Sequence, residues 1–213
     1  MRSQCLYYYD YYDLIKLQWF PEYFRLSGED SFMGKCKYKL LTNTTYIDYT
    51  GAGPVELAKV IDDTTGEDIL FVIYQKNLFR EYHYHLSIGE FSSNKGLKLA
   101  VVLDDLHRDC LYKQPKIFLA IILHELGHHI NGDNHNSRSS DEIRSERLQY
   151  ILAGKVQDYE LKADAFAVEH VGKNTFIRSL DYLIDKRKLR GDPGMELAVK
   201  ELELRKKAIQ KIK

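Results

Sequence analysis

The sequence of 213 residues predicts an α+β protein, strand-rich in its first half and helical in its second. Three observations carry that reading. Short β-branched and aromatic runs bounded by turn residues fill the chain up to about residue 106. From Pro115 onward apolar residues recur at helical spacing between glycine-marked stops. Apolar residues make up 44% and charged residues 29%, a globular ratio that suits one domain of ordinary size, residues 1–213.

The elements follow in order. Residues 1–60 open with an aromatic segment that holds six of the sixteen tyrosines before residue 24, read as a packing helix or a surface arm. Val55 to Asp62 fits a short helix or a strand equally well. Ile69 to Tyr74 has the length and β-branched content of a strand. Tyr82 to Ile88 alternates, which places His83 and His85 on one face of a second strand. Ser92 to Gly96 is turn chemistry, and Leu97 to Leu103 reads as a third strand, so a small mixed sheet is expected. Pro115 suits a first helical turn, and Ile117 to Ile130 continues it until Asn131-Gly132. Asp133 to Ser140 contains no apolar residue and reads as a mobile loop. Glu142 to Ala153 and Val156 to Val171 are two further helices parted by Gly154. Asn174 is expected to cap a helix whose stripe is Phe176, Ile177, Leu180, Leu183 and Ile184. After the turn Asp192-Pro193-Gly194 a last helix runs to the end. Its acidic residues Glu196, Glu201 and Glu203 precede Arg205, Lys206, Lys207 and Lys211, an order that the helix dipole explains without a ligand.

Charge and composition exclude several classes. Lys plus Arg equals Asp plus Glu at 31 each, so no global attraction to nucleic acid or anionic lipid is expected. The longest purely apolar run, Ile117 to Leu123, has seven residues, against about 20 for a membrane span. No secretory pattern opens the chain, and the three cysteines (Cys5, Cys36, Cys110) lie far apart without a Cys-x-x-Cys pair. Asn43-Thr44-Thr45 is therefore read as a turn, and a cytoplasmic location is expected.

The chemistry sits in His124-Glu125-Leu126-Gly127-His128. Histidines at i and i+4 leave one helix face a turn apart, so both imidazoles can grip one metal ion. Glu125, between them, is placed as a base for water. Chance would produce the pattern about twice in 100 chains of this composition, so context matters. That context is apolar: Ile121, Ile122 and Leu123 precede the motif and Ile130 follows it. Two histidines and a glutamate on a buried helix are costly unless compensated, and a zinc ion compensates them.

A catalytic zinc site needs a third protein ligand. Glu160 is the first candidate, opening a patterned helix 32 residues after His128. Asp164 stands one turn on, where it can accept the second ring N–H of a ligating histidine, and Ala163 is small enough for close helix approach. His135 is a distant second candidate, one place late for the three-histidine pattern of Gly132 and His135. His129 points off the ligand face by about 100°.

These two motifs, His124-Glu125-Leu126-Gly127-His128 and Glu160-Leu161-Lys162-Ala163-Asp164-Ala165-Phe166-Ala167, resemble the gluzincin metallopeptidases. Within them the chain is most similar to the family of HtpX and the CAAX prenyl endopeptidases, over roughly residues 97–185. The resemblance implies a zincin-like fold with a catalytic core at 97–185 and an N-terminal segment, 1–60, unrelated to the family. It implies one zinc ion held by His124, His128 and Glu160, with Glu125 as general base and Asp164 behind the ligands. Known members are embedded in membranes, and this chain would be a soluble, stand-alone version. The ImmA/IrrE-type regulatory peptidases, which act on repressors, are the competing family, although their Leu-Met-Pro ending is replaced here by Glu169-His170-Val171-Gly172.

The expected activity is hydrolysis of a protein or peptide substrate, with no nucleic-acid partner and no membrane-spanning segment. Tyr159, His170 and Tyr182 are candidate donors to the developing oxyanion, and Leu97 to Leu103 resembles the edge strand that pairs with substrate in zincins. The rival from another class is a non-catalytic zinc-binding module that uses the tyrosine-rich segment for interaction. His83 and His85 could also face a second metal, but no third ligand is evident.

Overall fold

The computed structural model describes residues 37–42, 55–74, 88–93, 96–103, 105–133, 140–190 and 195–211. The tyrosine-rich segment, His83, His85, His135 and the turn at 192–194 lie outside the described residues. The chain divides into two compact units, whose described residues lie within 37–109 and 110–211.

In the first unit, β1 (Tyr38–Thr42), β2 (Val55–Asp62), β3 (Asp68–Tyr74), β4 (Ile88–Ser93) and β5 (Gly96–Leu103) form one mixed sheet in the order β1-β2-β3-β5-β4. Val55 to Asp62 is a strand. What periodicity left open is settled by pairing with both β1 and β3, and a register shift at Glu56/Ala58 explains its irregular pattern. Leu40, Val60 and Leu70 align across three strands, as do Ala58, Val72 and Val101, and all six are buried. The β2–β3 turn is held by Asp62, whose Oδ1 accepts from the backbone N–H groups of Thr64 (2.8 Å) and Thr65 (3.1 Å).

The turn expected at 92–96 falls between β4 and β5, which pair antiparallel with Ser92 opposite Leu97 and Ser93 opposite Gly96. One expectation needs correction: the strand at 97–103 is not an edge strand, because β5 pairs with β3 on one side and β4 on the other. From Ala100 to Leu103 the β3 side is used and from Gly96 to Val101 the β4 side, so most of the strand is already paired.

The helices are α1 (Asp105–Lys113), α2 (Pro115–Ile130), α3 (Ser140–Leu152), α4 (Asp158–Val171), α5 (Lys173–Arg190) and α6 (Met195–Lys211). The sequence reading gave no element at α1. Pro115 occupies the first turn of α2 as expected, where its missing N–H costs nothing. Helix α4 starts at Asp158, two residues later than Val156, after Gln157 as the capping residue. Helix α5 starts before Asn174: the carbonyl of Gly172 accepts the first intrahelical bond, from Phe176 N–H at 3.1 Å. The predicted stripe holds in part, with Phe176, Leu180 and Ile184 buried. No described helix is long and apolar enough to cross a membrane.

Helix α2 packs on α4 and α5, and α6 packs on α5, α4 and α3. The α2–α4 approach is closest at Gly127. A Cβ there would stand 3.0 Å from Ala163 Cα, 3.1 Å from Ala163 O and 3.2 Å from Phe166 Cβ. Two of those atoms are backbone and cannot swing away. Gly127→Ala gains about 1 kcal/mol of helix propensity but overpacks at about 1–3 kcal/mol. A net loss of about 0–2 kcal/mol is expected in denaturant unfolding, and a stabilised variant would show that the two helices are not in firm contact.

Candidate metal centre

Helix α2 is buried from Ile117 to His124 without a break, so His124 stands where water is excluded from most of the circumference, whereas His128 is half-buried and Ile130, expected to extend the apolar context, is exposed. His124 is 6% exposed, Glu160 7%, Asp164 0% and Arg205 6%, a cluster of four buried ionisable side chains among the described residues of the second unit.

The i, i+4 geometry brings His124 Nε2 to 3.1 Å from His128 Nε2. From the first turn of α4, Glu160 Oε2 reaches 3.4 Å from His124 Nε2 and 3.8 Å from His128 Nε2. A tetrahedral ion with bonds of 2.0–2.1 Å needs donors about 3.3 Å apart. The three separations bracket that value, so the donor set has both the chemistry and the spacing to hold a metal ion. Among the described residues His124, His128 and Glu160 are the group so arranged.

Each histidine is steadied through its other ring nitrogen. His124 Nδ1 lies 2.8 Å from Asp164 Oδ1, and His128 Nδ1 lies 3.1 Å from Asp133 Oδ2. Asp164 stands one turn beyond Glu160 on α4, where the sequence placed it. Asp133 lies at the head of a stretch read as a polar mobile loop, and it is engaged rather than solvated.

Arg205 was missed altogether. It was read as part of a basic helix end, yet it projects into the centre from α6. Its Nε donates to Asp164 Oδ2 at 3.0 Å, its Nη2 pairs with Asp164 Oδ1, and its Nη1 is 3.1 Å from Glu160 Oε2. Nη2 is also 2.9 Å from Nδ1 and 3.2 Å from Nε2 of His124. A guanidinium only donates, so where Nδ1–H is given to Asp164 Oδ1 at 2.8 Å the approach of Nη2 to that ring nitrogen is a close contact and not a hydrogen bond. Glu201, another residue of the supposed solvated face, is buried and takes a bidentate bond from Arg147 of α3. The only sequence hint of either pairing is the helical stripe Leu202, Arg205 and Ile209, on which the arginine falls among buried apolar residues.

Burial opposes ionisation of Glu160 and Asp164, but Arg205 and His124 overcome it and keep both carboxyls below their ordinary range. Burial and Arg205 also oppose a proton on His124. The bonds to Asp164 and Glu160 prevail and hold its imidazole up to about 9. His128 is pushed the other way, by burial and by the charge on His124. Glu125, the next residue after His124, is partly buried. Tyr159 packs its ring 5.7 Å from that of His128, and burial with the Glu160 charge pushes its hydroxyl up to about 12. His170 stacks edge-on against Phe166, and Tyr182 lies under Lys186.

No protein-family profile matches this chain, and no curated protein or solved structure matches it significantly.

Proposed function

We propose that the chain is a zinc metallopeptidase of the gluzincin kind, in which His124, His128 and Glu160 hold one ion. The observation that carries this reading is the trio of donors at 3.1, 3.4 and 3.8 Å, beside a helix glutamate and an Asp164–His124 bond. Bound zinc would supply Lewis acidity, which brings water towards neutrality and polarises a peptide carbonyl.

The protein's own part is specific. Asp164 accepts a hydrogen bond from the Nδ1–H of His124 and leaves Nε2 as the atom that would face the ion. Arg205 keeps Glu160 and Asp164 ionised by lying against both. Glu125 accepts the proton of the attacking water at its carboxylate and passes it to the leaving amine nitrogen. Of the three candidate oxyanion donors we choose Tyr159, whose ring stands beside His128 and whose hydroxyl burial keeps protonated; to serve it would release the bond it donates to Gln157 Oε1 at 2.5 Å. The substrate is a protein or peptide, and a cytoplasmic setting suits the proposal.

The test is zinc content by mass spectrometry with hydrolysis of an unfolded protein, on wild type, Glu125→Gln and Glu160→Ala. Absence of zinc from the wild type after refolding with the metal would end the peptidase reading.

The pH dependence has a definite sign. Below about 9 His124 carries a proton that the metal must displace, whereas His128, held below its ordinary value, gives up little. Zinc uptake at pH 7.5 is therefore expected to release about one proton, and affinity to rise about tenfold per pH unit before levelling near 9. Conversely, in the metal-free protein the raised value stabilises the fold fully below the ordinary histidine range, and that contribution is lost as pH rises through 9. Calorimetry in buffers of different ionisation heat measures the proton count, and zinc uptake with no release would contradict the assignment.

A further inference from the structure

We propose that Asp133 is a positioning residue of the metal centre, carried back over the end of α2 by a glycine-dependent cap to hold the Nδ1–H of His128. The inference rests on the metal reading above and adds a residue to it.

The local backbone supplies the reason. Asn131 is the last residue of near-helical backbone, and Gly132 follows at φ +70°. Gly132 N–H donates to His129 O at 3.1 Å, and Asp133 N–H donates to His128 O at 3.0 Å. This pair of bonds is the Schellman motif, which folds the residue after the glycine back towards the third-last residue of the helix. That third-last residue is His128. The same turn that satisfies the carbonyl of His128 therefore brings a side chain from position 133 to its ring, and Asp133 Oδ2 closes the contact at 3.1 Å.

The glycine is required by its dihedral angles rather than by space. A Cβ at Gly132 would meet nothing within 4 Å, yet φ +70° is strained for any side chain that has one. So the end of the metal helix places its own carboxylate through the local backbone.

The two histidines are thus steadied by different means. Asp164 reaches His124 from a separate helix and is itself held by Arg205. Asp133 reaches His128 from five residues along the same chain. A charge-assisted bond to Nδ1–H fixes the tautomer, turns Nε2 towards Glu160 and raises the donor strength of the ring.

The experiment is competition for Zn2+ against a chromophoric chelator at fixed pH, on the full chain and on Asp133→Ala, Asp133→Asn and Gly132→Ala. Asp133→Ala is expected to weaken zinc binding by about 10–100-fold. Asp133→Asn, which keeps a neutral acceptor, should lose less. Gly132→Ala should weaken zinc although it leaves the carboxylate intact. The unfolding midpoint of the metal-free Asp133 variants should stay at the wild-type value. Nitrogen-15 spectra of the zinc-loaded protein should show the His128 Nδ1 proton protected in wild type and exchanging in Asp133→Ala. Unchanged zinc affinity in Asp133→Ala would overturn the assignment while leaving the peptidase reading intact. A loss of zinc matched by an equal fall in metal-free stability of both Asp133 variants would also overturn it. A wild type that takes up no zinc overturns this inference together with the reading it rests on.

Discussion

Replacing Arg205 with methionine is expected to cost the metal-free protein about 3–5 kcal/mol, the largest stability effect of any single change in the centre. The guanidinium is 6% exposed and lies against Asp164 and Glu160, themselves 0% and 7% exposed. Methionine matches much of the volume, so packing is largely kept and the loss is electrostatic. Two buried carboxylates would then face only the histidines, and part of the cost should be evaded by their taking up protons. Arg205→Lys should recover little, because one ammonium cannot span Asp164 Oδ1, Asp164 Oδ2 and Glu160 Oε2 as the planar fork does. Zinc should restore part of the stability of Arg205→Met, since a dication meets Glu160, one of the two carboxylates that the arginine compensates. Denaturant unfolding with and without the metal measures both terms. A loss under about 1 kcal/mol would mean that the arginine is a bystander to charges otherwise compensated.

The second large effect separates binding from chemistry. Glu125→Gln is expected to lower turnover by about 10²–10⁴-fold, the usual range for a general base, while zinc content stays at the wild-type level. Glu125 is not among the three donors, and glutamine is nearly isosteric but its amide cannot accept a proton. Glu160→Ala should do the reverse in order of cause, losing zinc on dialysis and activity with it. It also removes one partner of Arg205 and should cost stability in the metal-free state. Hydrolysis that survives Glu125→Gln would move the base elsewhere, and zinc that survives Glu160→Ala would move the third ligand, with His135 the alternative that the sequence offers.

Local patterns were legible wherever one short stretch contained the whole interaction. The i, i+4 spacing of His124 and His128 needs only the helix pitch, and β3, β5 and α2 followed from composition and period. The α+β division also held, with five strands before residue 104 and six helices after it among the described residues. Val55–Asp62 did not resolve, because a bulge breaks its alternation and only the strands on either side select the extended form. The role of 97–103 went wrong for a related reason: a strand sequence carries no record of how many neighbours it has.

What the sequence determined by itself, then, is the histidine pair with its glutamate, the buried helix that presents them, and the carboxylates Glu160 and Asp164 one turn apart. Each rests on a helical repeat of a few residues. What only the tertiary structure decided is the convergence of those carboxylates on the histidines and the entry of Arg205 from α6, 41 residues after Asp164. A charged residue has the same letter on a solvated face and in a buried ion pair. Its burial is set by which helices pack against it, and no local spacing records that choice.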